Sequence, residues 1–279
     1  MDLENLQAGL EAGRRIVRRC GMHVVVCVKQ IPDPAEPGKL EGDNTLDRSG
    51  KLILDEADSY GVEMALQLVD KAGDGEVTLV SMAPNSESSG LRTALAMGAA
   101  KAILISDEAL SGAGALDTAK VLAAAIKTAE PDLVLTATES SDGYTGTVSE
   151  QIAALLGFPS ITFAKEIHLE GETVNVQRQT EEGYDEVTCP LPALVSVTAG
   201  VVEPRYPSFK GIMAAKSKPV EELKVADLGL DAAQVGTAGS GQEIVAVEQA
   251  PAREAGEIIE DDGEAFNKIV AFLDGLKVI

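Results

Sequence analysis

A short loop between residues 139 and 150 carries the groups best suited to bind a small molecule. It reads ESSDGYTGTVSE and leads into a predicted helix. Gly143 and Gly146 allow the backbone to approach a ligand closely. The hydroxyls of Thr145 and Thr147 can join the free amides of the helix start in holding a phosphate. The loop therefore has the chemistry of a phosphate site that needs no lysine.

Two interpretations of this loop remain open. Thr147 and Glu150 have the spacing of a capping box, in which both side chains only stabilise a helix start. However, the loop also follows a predicted strand of a parallel sheet, and ligands bind at the carboxyl ends of such strands. There the Asp142 carboxylate can accept hydrogen bonds from a ribose or an amide. The loop predicts either an ordinary capped helix or a nucleotide site.

Asp55 and Asp58 form a second candidate group, at the start of the first predicted helix. Two carboxylates are too acidic to face a phosphate, but they can bond sugar hydroxyls or an adenine amino group. Helix capping explains the same residues without any ligand. The sequence alone leaves both roles open.

Other kinds of site find little support in the sequence. It has no G-x-G-x-x-G motif and no G-K-[ST] loop, so NTP hydrolysis is unsupported. The three cysteines form no C-x-x-C pair or metal-binding spacing, and we interpret them as reduced thiols of a cytosolic protein. Both histidines, His23 and His168, flank strand-like runs. We predict no catalytic residue and no metal site.

A third candidate, a docking element, lies between Val202 and Pro219. Pro204 and Pro207 hold the chain between them extended, and the residues that follow have helical spacing. Apolar and cationic side chains alternate here in an otherwise acidic chain: Arg205, Tyr206, Phe209, Lys210, Ile212, Met213, Lys216 and Lys218. An apolar knob ringed by cations suits protein docking, although a surface loop covering the end of a sheet is the plainer interpretation.

The elements that must position these groups follow an α/β pattern. Continuous apolar runs predict buried strands at 23–28, 77–81, 102–105, 133–137 and 161–164, with helical periods at 55–71, 91–97, 115–129 and 148–156 between them. This alternation predicts a three-layer, mostly parallel, Rossmann-like sheet of the adenine-nucleotide-binding type.

The two ends of the chain and the segment after residue 165 differ from this pattern. Residues 166–169, 173–179, 186–189 and 193–197 predict an antiparallel meander attached to the sheet. We predict a nucleotide-binding domain over 22–229, and an arm over 230–279 that ends in an amphipathic helix and packs on a partner. Residues 1–21 are expected to be an extension, with Met22 as the natural start or the extension as a loose amphipathic helix.

Charge and hydropathy narrow the range of partners. The formal charge is −22, from 45 acidic and 23 basic residues. That balance argues against nucleic acid and anionic membranes as main partners. No apolar run is long enough to span a bilayer, so we expect no direct membrane insertion.

Several segments, in their order and spacing, resemble the beta (small) subunit of electron transfer flavoproteins. They are VCVKQIPD (26–33), GVEMAL (61–66), LRTALAMGA (91–99), EPRYPS with the IM and lysine that follow (203–216), and EIIED (257–261). The similarity covers residue 22 to the C-terminus.

The resemblance implies a bacterial, cytoplasmic electron carrier rather than an enzyme. It implies a heterodimer whose larger alpha subunit holds most of the FAD. Electrons would come from acyl-CoA and other dehydrogenases, as in fatty acid oxidation, and would pass to a quinone oxidoreductase. This chain would bury a structural AMP.

The resemblance also assigns residues by position. The AMP site would comprise Cys27, Asp55 to Asp58, Met82, Asp142, Gly143, Tyr144, Thr145, Gly146, Thr147 and Val148. The partner-recognition loop would span 197–219, with Arg205, Tyr206, Phe209, Ile212 and Met213 facing the partner. Phe209 stands where the family commonly has a leucine anchor.

Two alternatives accompany this assignment. Electron-bifurcating members of the family bind a second FAD in place of AMP, and their loop usually reads near DGDTAQ. Here residues 142–147 read DGYTGT, which favours AMP. A free-standing adenine-nucleotide-binding regulatory domain would have a similar fold, but the meander, the basic loop and the long tail argue against it.

Overall fold

The computed structural model describes residues 21–248, 250–251, 256–261 and 263–279. The N-terminal extension predicted over residues 1–21 lies, apart from Gly21, outside them. The chain forms two compact units, whose boundary falls between Ile244 and Val245. Among the described residues, no helix combines the length and the apolar character needed to cross a bilayer.

The first half of the large unit alternates strands and helices. Its elements are β1 (Met22–Cys27), β2 (Gln30–Pro32), β3 (Leu52–Leu54), α1 (Glu56–Ala72), β4 (Gly75–Ala83), α2 (Ser89–Met97), β5 (Lys101–Ser106), α3 (Ala115–Ala129), β6 (Leu133–Ala137) and α4 (Val148–Leu156). Short 3₁₀ turns at Glu108–Leu110, Val225–Leu228 and Ala232–Gln234 complete the unit.

The second half adds strands and the remaining helices. They are β7 (Ser160–Glu170), β8 (Thr173–Gln179), β9 (Tyr184–Pro190), β10 (Ala193–Val197), α5 (Phe209–Ala215), β11 (Val220–Leu223) and α6 (Gly236–Ser240). The small unit contains α7 (Ala265–Gly275), where the sequence predicts its amphipathic helix.

Nine of these strands form one sheet, in the order β11-β5-β4-β1-β6-β10-β7-β8-β9. The strands from β11 to β7 are parallel, and β8 and β9 continue the sheet antiparallel. Val24 and Val26 point into a core shared with α1 and α2, and Val25 points into a second core shared with α3 and α4. Because both faces are covered by helices, the three-layer α/β prediction is confirmed.

The structure changes the predicted meander. The sequence predicts that residues 193–197 close it, but β10 instead lies between β6 and β7 and pairs with both in parallel. All five of its residues are buried, which is the signature of a central strand covered on both faces. The antiparallel part therefore contains only β7, β8 and β9.

The arm also begins later than the predicted boundary at residue 230. Val235 is buried in the core beside α3, and the Thr237 amide donates to the Ser111 carbonyl at 2.8 Å. Gly236 has φ +61°, and a Cβ there would lie 1.9 Å from the Ala109 carbonyl oxygen. Only glycine fits this close approach, so residues 230–244 belong to the large unit.

Candidate functional site

The carboxyl ends of three neighbouring strands form the candidate nucleotide site. β1 pairs in parallel with β4 on one side and β6 on the other, so all three end at one edge of the sheet. Cys27 closes β1, Met82 lies near the end of β4, and the loop of residues 138–147 follows β6. The fold therefore brings the sequence-predicted residues to one place.

Asp55 connects α1 to this loop. It is the N-cap residue of α1, and its Oδ1 accepts a hydrogen bond from the Ala57 amide at 3.2 Å. The same carboxylate accepts from the Ser141 amide at 2.8 Å and the Ser141 hydroxyl at 2.9 Å. Asp55 is fully buried. It thus caps the helix, in agreement with the plainer interpretation, and also fixes the loop.

Asp58 lies one turn further along α1, next to the end of β1. Its Oδ2 accepts a hydrogen bond from the Lys29 amide at 2.5 Å. Burial, joined by the charges of Asp55 and Asp142, raises the pKa of Asp58 well above its ordinary value despite this bond. Burial, together with the Asp58 charge, raises the pKa of the Cys27 thiol to about 12. The Cys27 thiol therefore stays protonated at neutral pH, and it lines the site without acting as a nucleophile.

Asp142 organises two cations that the sequence did not assign to the site. Its carboxylate contacts Lys29 Nζ at 2.6 Å and also pairs with the Arg48 guanidinium. Lys29 Nζ donates to the Ser140 hydroxyl as well, at 3.1 Å. Burial would raise the pKa of Asp142, but Lys29 and Arg48 outweigh it and lower that pKa. Lys29 thus lies beside the loop, with its ammonium group bound to Asp142 and Ser140.

Lys29 and Arg48 differ in how readily the sequence could have identified them as part of the site. Lys29 directly follows a predicted strand, at a position where ligands bind, and this placement could have identified it. Arg48 lies 94 positions before its partner Asp142, in a loop rich in proline and glycine. No local pattern links the two.

The rest of the loop faces outward. Tyr144 is 67% exposed and has φ +49°, and Gly146 has φ +61°. The Thr147 side chain makes no capping hydrogen bond to α4, so the predicted capping box is wrong. The positive φ angles of Tyr144 and Gly146 make the turn here. The amides at Val148 and beyond therefore have no side-chain cap. Such a helix start suits an anion.

The segment of residues 197–219, here called the recognition segment, presents an apolar surface. Ser208 caps α5 by accepting a hydrogen bond from the Gly211 amide at 3.0 Å. Tyr206 is 94% and Phe209 81% exposed, and Ile212 and Met213 are about half exposed. The predicted short helix with an exposed apolar stripe is thereby confirmed.

The predicted ring of four cations is smaller in the structure. Arg205 pairs with Glu63 of α1, and Lys218 Nζ donates to the carbonyls of Leu95 and Ala99, at 2.9 and 2.6 Å. These carbonyls lie at the end of α2, where a helix needs donors. Burial lowers the pKa of Lys218. Of the four, Arg205, Lys210 and Lys216 are exposed, and Arg205 is exposed although it pairs with Glu63.

A cavity of about 590 Å³ lies between α2 and the recognition segment. Arg92 and Ala96 line it on one side, Pro207 and Ile212 on the other. The Arg92 guanidinium donates to the carbonyls of Ala215 and Lys218 at 2.7 and 2.8 Å. The cavity thus belongs to the recognition segment, and none of the predicted nucleotide-site residues lines it.

Comparison with known proteins supplies the context for both sites. The profile of the family described as "Electron transfer flavoprotein domain" matches residues 43–228. "Electron transfer flavoprotein subunit beta" of Mycobacterium bovis is 40% identical over 264 residues, which cover 92% of this chain and 99% of the relative. The protein of the same name from Megasphaera elsdenii is 38% identical over 253 residues, covering 87% and 94%.

A relative with a different name is also similar. "Caffeyl-CoA reductase-Etf complex subunit CarD" of Acetobacterium woodii is 35% identical over 254 residues, which cover 90% of this chain and 96% of the relative. The similarity therefore extends over both candidate sites in relatives of both names.

Proposed function

This chain belongs to the electron transfer flavoprotein family as a beta subunit, and we propose that it forms a heterodimer with an alpha subunit that holds most of the FAD. Beta subunits of this family are electron-transfer subunits and not catalysts. In our proposal the heterodimer takes electrons from acyl-CoA and other flavin dehydrogenases, as in fatty acid oxidation. It then passes them to a quinone oxidoreductase.

AMP is the proposed ligand of the site at the ends of β1, β4 and β6. The observation that carries this proposal is the convergence there of Cys27, Asp58, Met82 and the loop of residues 138–147. The α4 start, with Gly146, Thr145 and Thr147 before it, would hold the phosphate. Asp58, whose carboxyl pKa is raised by burial, lies at the same edge and can hydrogen-bond a base or a sugar.

Side chains pack against the inner side of the loop at Gly143. A Cβ at Gly143 would lie 3.2 Å from the Ser140 hydroxyl and 3.6 Å from Lys29 Nζ. The inner side of the loop is thus filled by side chains that the Asp142 pairs hold in place. The loop sequence DGYTGT, which differs from the DGDTAQ of the bifurcating members, supports AMP over a second FAD.

Counting the nucleotides of the purified heterodimer tests this proposal. We expect one FAD and one AMP per heterodimer to be released on denaturation and separated by chromatography. Two flavins and no AMP would establish the alternative in which this chain binds FAD. A well-folded monomer, with no larger subunit copurifying from its native host, would instead favour the free-standing regulatory domain.

The arm beyond Ile244 is the proposed contact with the alpha subunit. Within its own unit, α7 leaves large apolar side chains exposed: Phe266, Ile269, Val270 and Phe272. A contiguous apolar helix face of this kind is typical of an interface. We also propose a location in the bacterial cytoplasm, which the bacterial origin of the relatives supports.

A further inference from the structure

The Glu63 carboxylate receives four hydrogen bonds in the middle of α1. Its Oε1 accepts from Gln67 Nε2 at 2.8 Å and from Arg205 Nη2 at 3.0 Å. Its Oε2 accepts from Arg205 Nε at 2.6 Å and from the Arg205 amide at 3.3 Å. The Glu63 side chain is only 4% exposed, whereas that of Arg205 is 41% exposed.

This arrangement fixes the main chain as well as a side chain. The two guanidinium bonds have the bidentate geometry that orients an arginine, and the amide bond holds the backbone of Arg205 directly. Pro204 and Pro207 restrict the residues around it. The start of the recognition segment therefore has little freedom to move away from α1.

Separate contacts fix the rest of the segment. Arg92 and Lys218 bind backbone carbonyls where the segment meets α2. Gly211 lies so close to α2 that a Cβ there would be 2.4 Å from the Ala96 carbonyl oxygen. The exposed side chains of Tyr206 and Phe209 thus stand on a backbone that is held at both ends and in the middle.

We propose that Glu63 is a positioning residue for partner docking. Through Arg205 it holds the recognition segment in its docking conformation before a partner arrives, although Glu63 itself is too buried to touch one. This inference rests on the proposed function and changes the role that the sequence assigns to Arg205. Arg205 acts on the partner by holding the segment, while Phe209 and Ile212 make the contact.

The expected effect is on binding and not on flavin chemistry. A segment that must be ordered at the moment of binding loses affinity, because the ordering entropy is then subtracted from the interaction. For Glu63→Gln and for Arg205→Lys we expect the KM of a dehydrogenase for the heterodimer to rise about tenfold, a change of about 1.4 kcal/mol. The kcat and the FAD content stay unchanged, since neither residue belongs to the nucleotide site.

The experiment compares these variants, and their double variant, in the intact heterodimer. Both substitutions break the contact between Glu63 and Arg205, while Arg205 also lies 3.7 Å from the Asp70 carboxylate. The defect of the double variant should therefore be clearly smaller than the sum of the two single defects. Amide hydrogen exchange of residues 205–218 should speed up in all three. Lys210→Gln and Lys216→Gln are the matched controls: they remove exposed charges, so their effect on KM should shrink as salt is added and exchange should not change.

The outcomes separate this inference from the proposed function. A Glu63→Gln heterodimer with unchanged KM overturns the positioning role, as does a double variant whose defect is the sum of the two. If Glu63→Gln does not fold, the Arg205→Lys variant alone tests the positioning role. Lysine keeps the positive charge but cannot make the two parallel hydrogen bonds of the guanidinium. If the unmodified heterodimer accepts electrons from no flavin dehydrogenase, the proposed function fails. Hydrogen exchange, which needs no dehydrogenase, still tests whether Glu63 holds the segment.

Discussion

The nucleotide-site loop and the recognition segment both follow a central strand, and the charged residues that each contributes to its own contacts differ in sign. Buried carboxylates hold the loop: Asp55 binds Ser141, and Asp142 gathers Lys29 and Arg48. The recognition segment itself contributes the cations: its Arg205 binds the buried Glu63 carboxylate, and its Lys218 binds backbone carbonyls. In a chain of net charge −22, these four cations thus fix the chain itself.

The largest expected effect breaks the charge cluster of the loop. Asp142→Asn leaves Lys29 and Arg48 without their carboxylate in a partly buried place, and removing one member of such a cluster costs about 3 kcal/mol. We expect that loss of unfolding free energy in urea, together with loss of the bound nucleotide.

Asp185→Asn is the matched control for this prediction. It removes the carboxylate of an exposed pair with Arg178, at 3.7 Å, and should cost less than about 1 kcal/mol. Equal losses in the two variants would contradict the view that the loop depends on its buried carboxylates.

The next effect concerns the recognition segment and leaves the loop intact. Phe209→Ala removes the most prominent apolar side chain of α5, whose truncation at the centre of an interface costs about 2 kcal/mol of binding. Electron uptake from the dehydrogenase should slow accordingly, while nucleotide and flavin contents stay unchanged. Stopped-flow reduction of the heterodimer by the reduced dehydrogenase measures the rate of electron uptake. Absorbance after denaturation measures the nucleotide and flavin contents.

Phe209→Leu provides the control, because it keeps an apolar anchor of smaller size. If Phe209→Ala releases flavin, the segment has a structural role in the heterodimer and the contrast between the two regions disappears.

A smaller effect comes from Asp58, the acid beside the loop whose pKa is raised by burial. The pKa of Asp58 is raised on folding, so between its unfolded and folded pKa values the folded state binds more protons. Stability is therefore greatest below the unfolded pKa and falls as the pH rises through the folded pKa. Asp58→Asn cannot ionise and should remove this part of the pH dependence.

At neutral pH the same variant should be more stable than the unmodified chain, because it carries no carboxyl group whose ionisation is disfavoured by burial. The amide oxygen of the substituted side chain can still accept from the Lys29 backbone amide, so the geometry is kept. Urea unfolding at a series of pH values tests the prediction. A variant with the same pH dependence as the unmodified chain would show that Asp58 is ionised in the folded state.

The sequence predicts where the strands end but does not predict the charge pairs between distant residues, and the reason is physical. Continuous apolar runs such as Val24–Val26 reveal central strands, and strand order then places Cys27, Met82 and the loop at one edge. Contacts between distant residues have no such local signal. Arg48 and Asp142 are 94 positions apart, and Arg205 and Glu63 are 142 apart. Hydrophobic periodicity identifies each of these four only as a charged residue. It does not show which of them pair within the chain.

Helix caps give the smallest effect and the most direct contrast between the regions. Thr147 and Ser208 are both hydroxyl residues at the N-cap of a helix, a position that such residues favour. Only Ser208 makes the capping bond, to the Gly211 amide at 3.0 Å. Ser208→Ala should therefore cost about 1 kcal/mol, whereas Thr147→Ala should stay within about 0.5 kcal/mol.

Nucleotide binding should reverse this order. If the amides at the start of α4 are left for a phosphate, Thr147→Ala removes a hydroxyl that binds the ligand, and AMP should be lost more readily on dialysis. Ser208→Ala should leave AMP retention unchanged. Comparing urea unfolding of the nucleotide-free chain with AMP retention in the heterodimer separates the two roles. If Thr147→Ala destabilised the nucleotide-free chain as much as Ser208→Ala, its hydroxyl would be a cap after all.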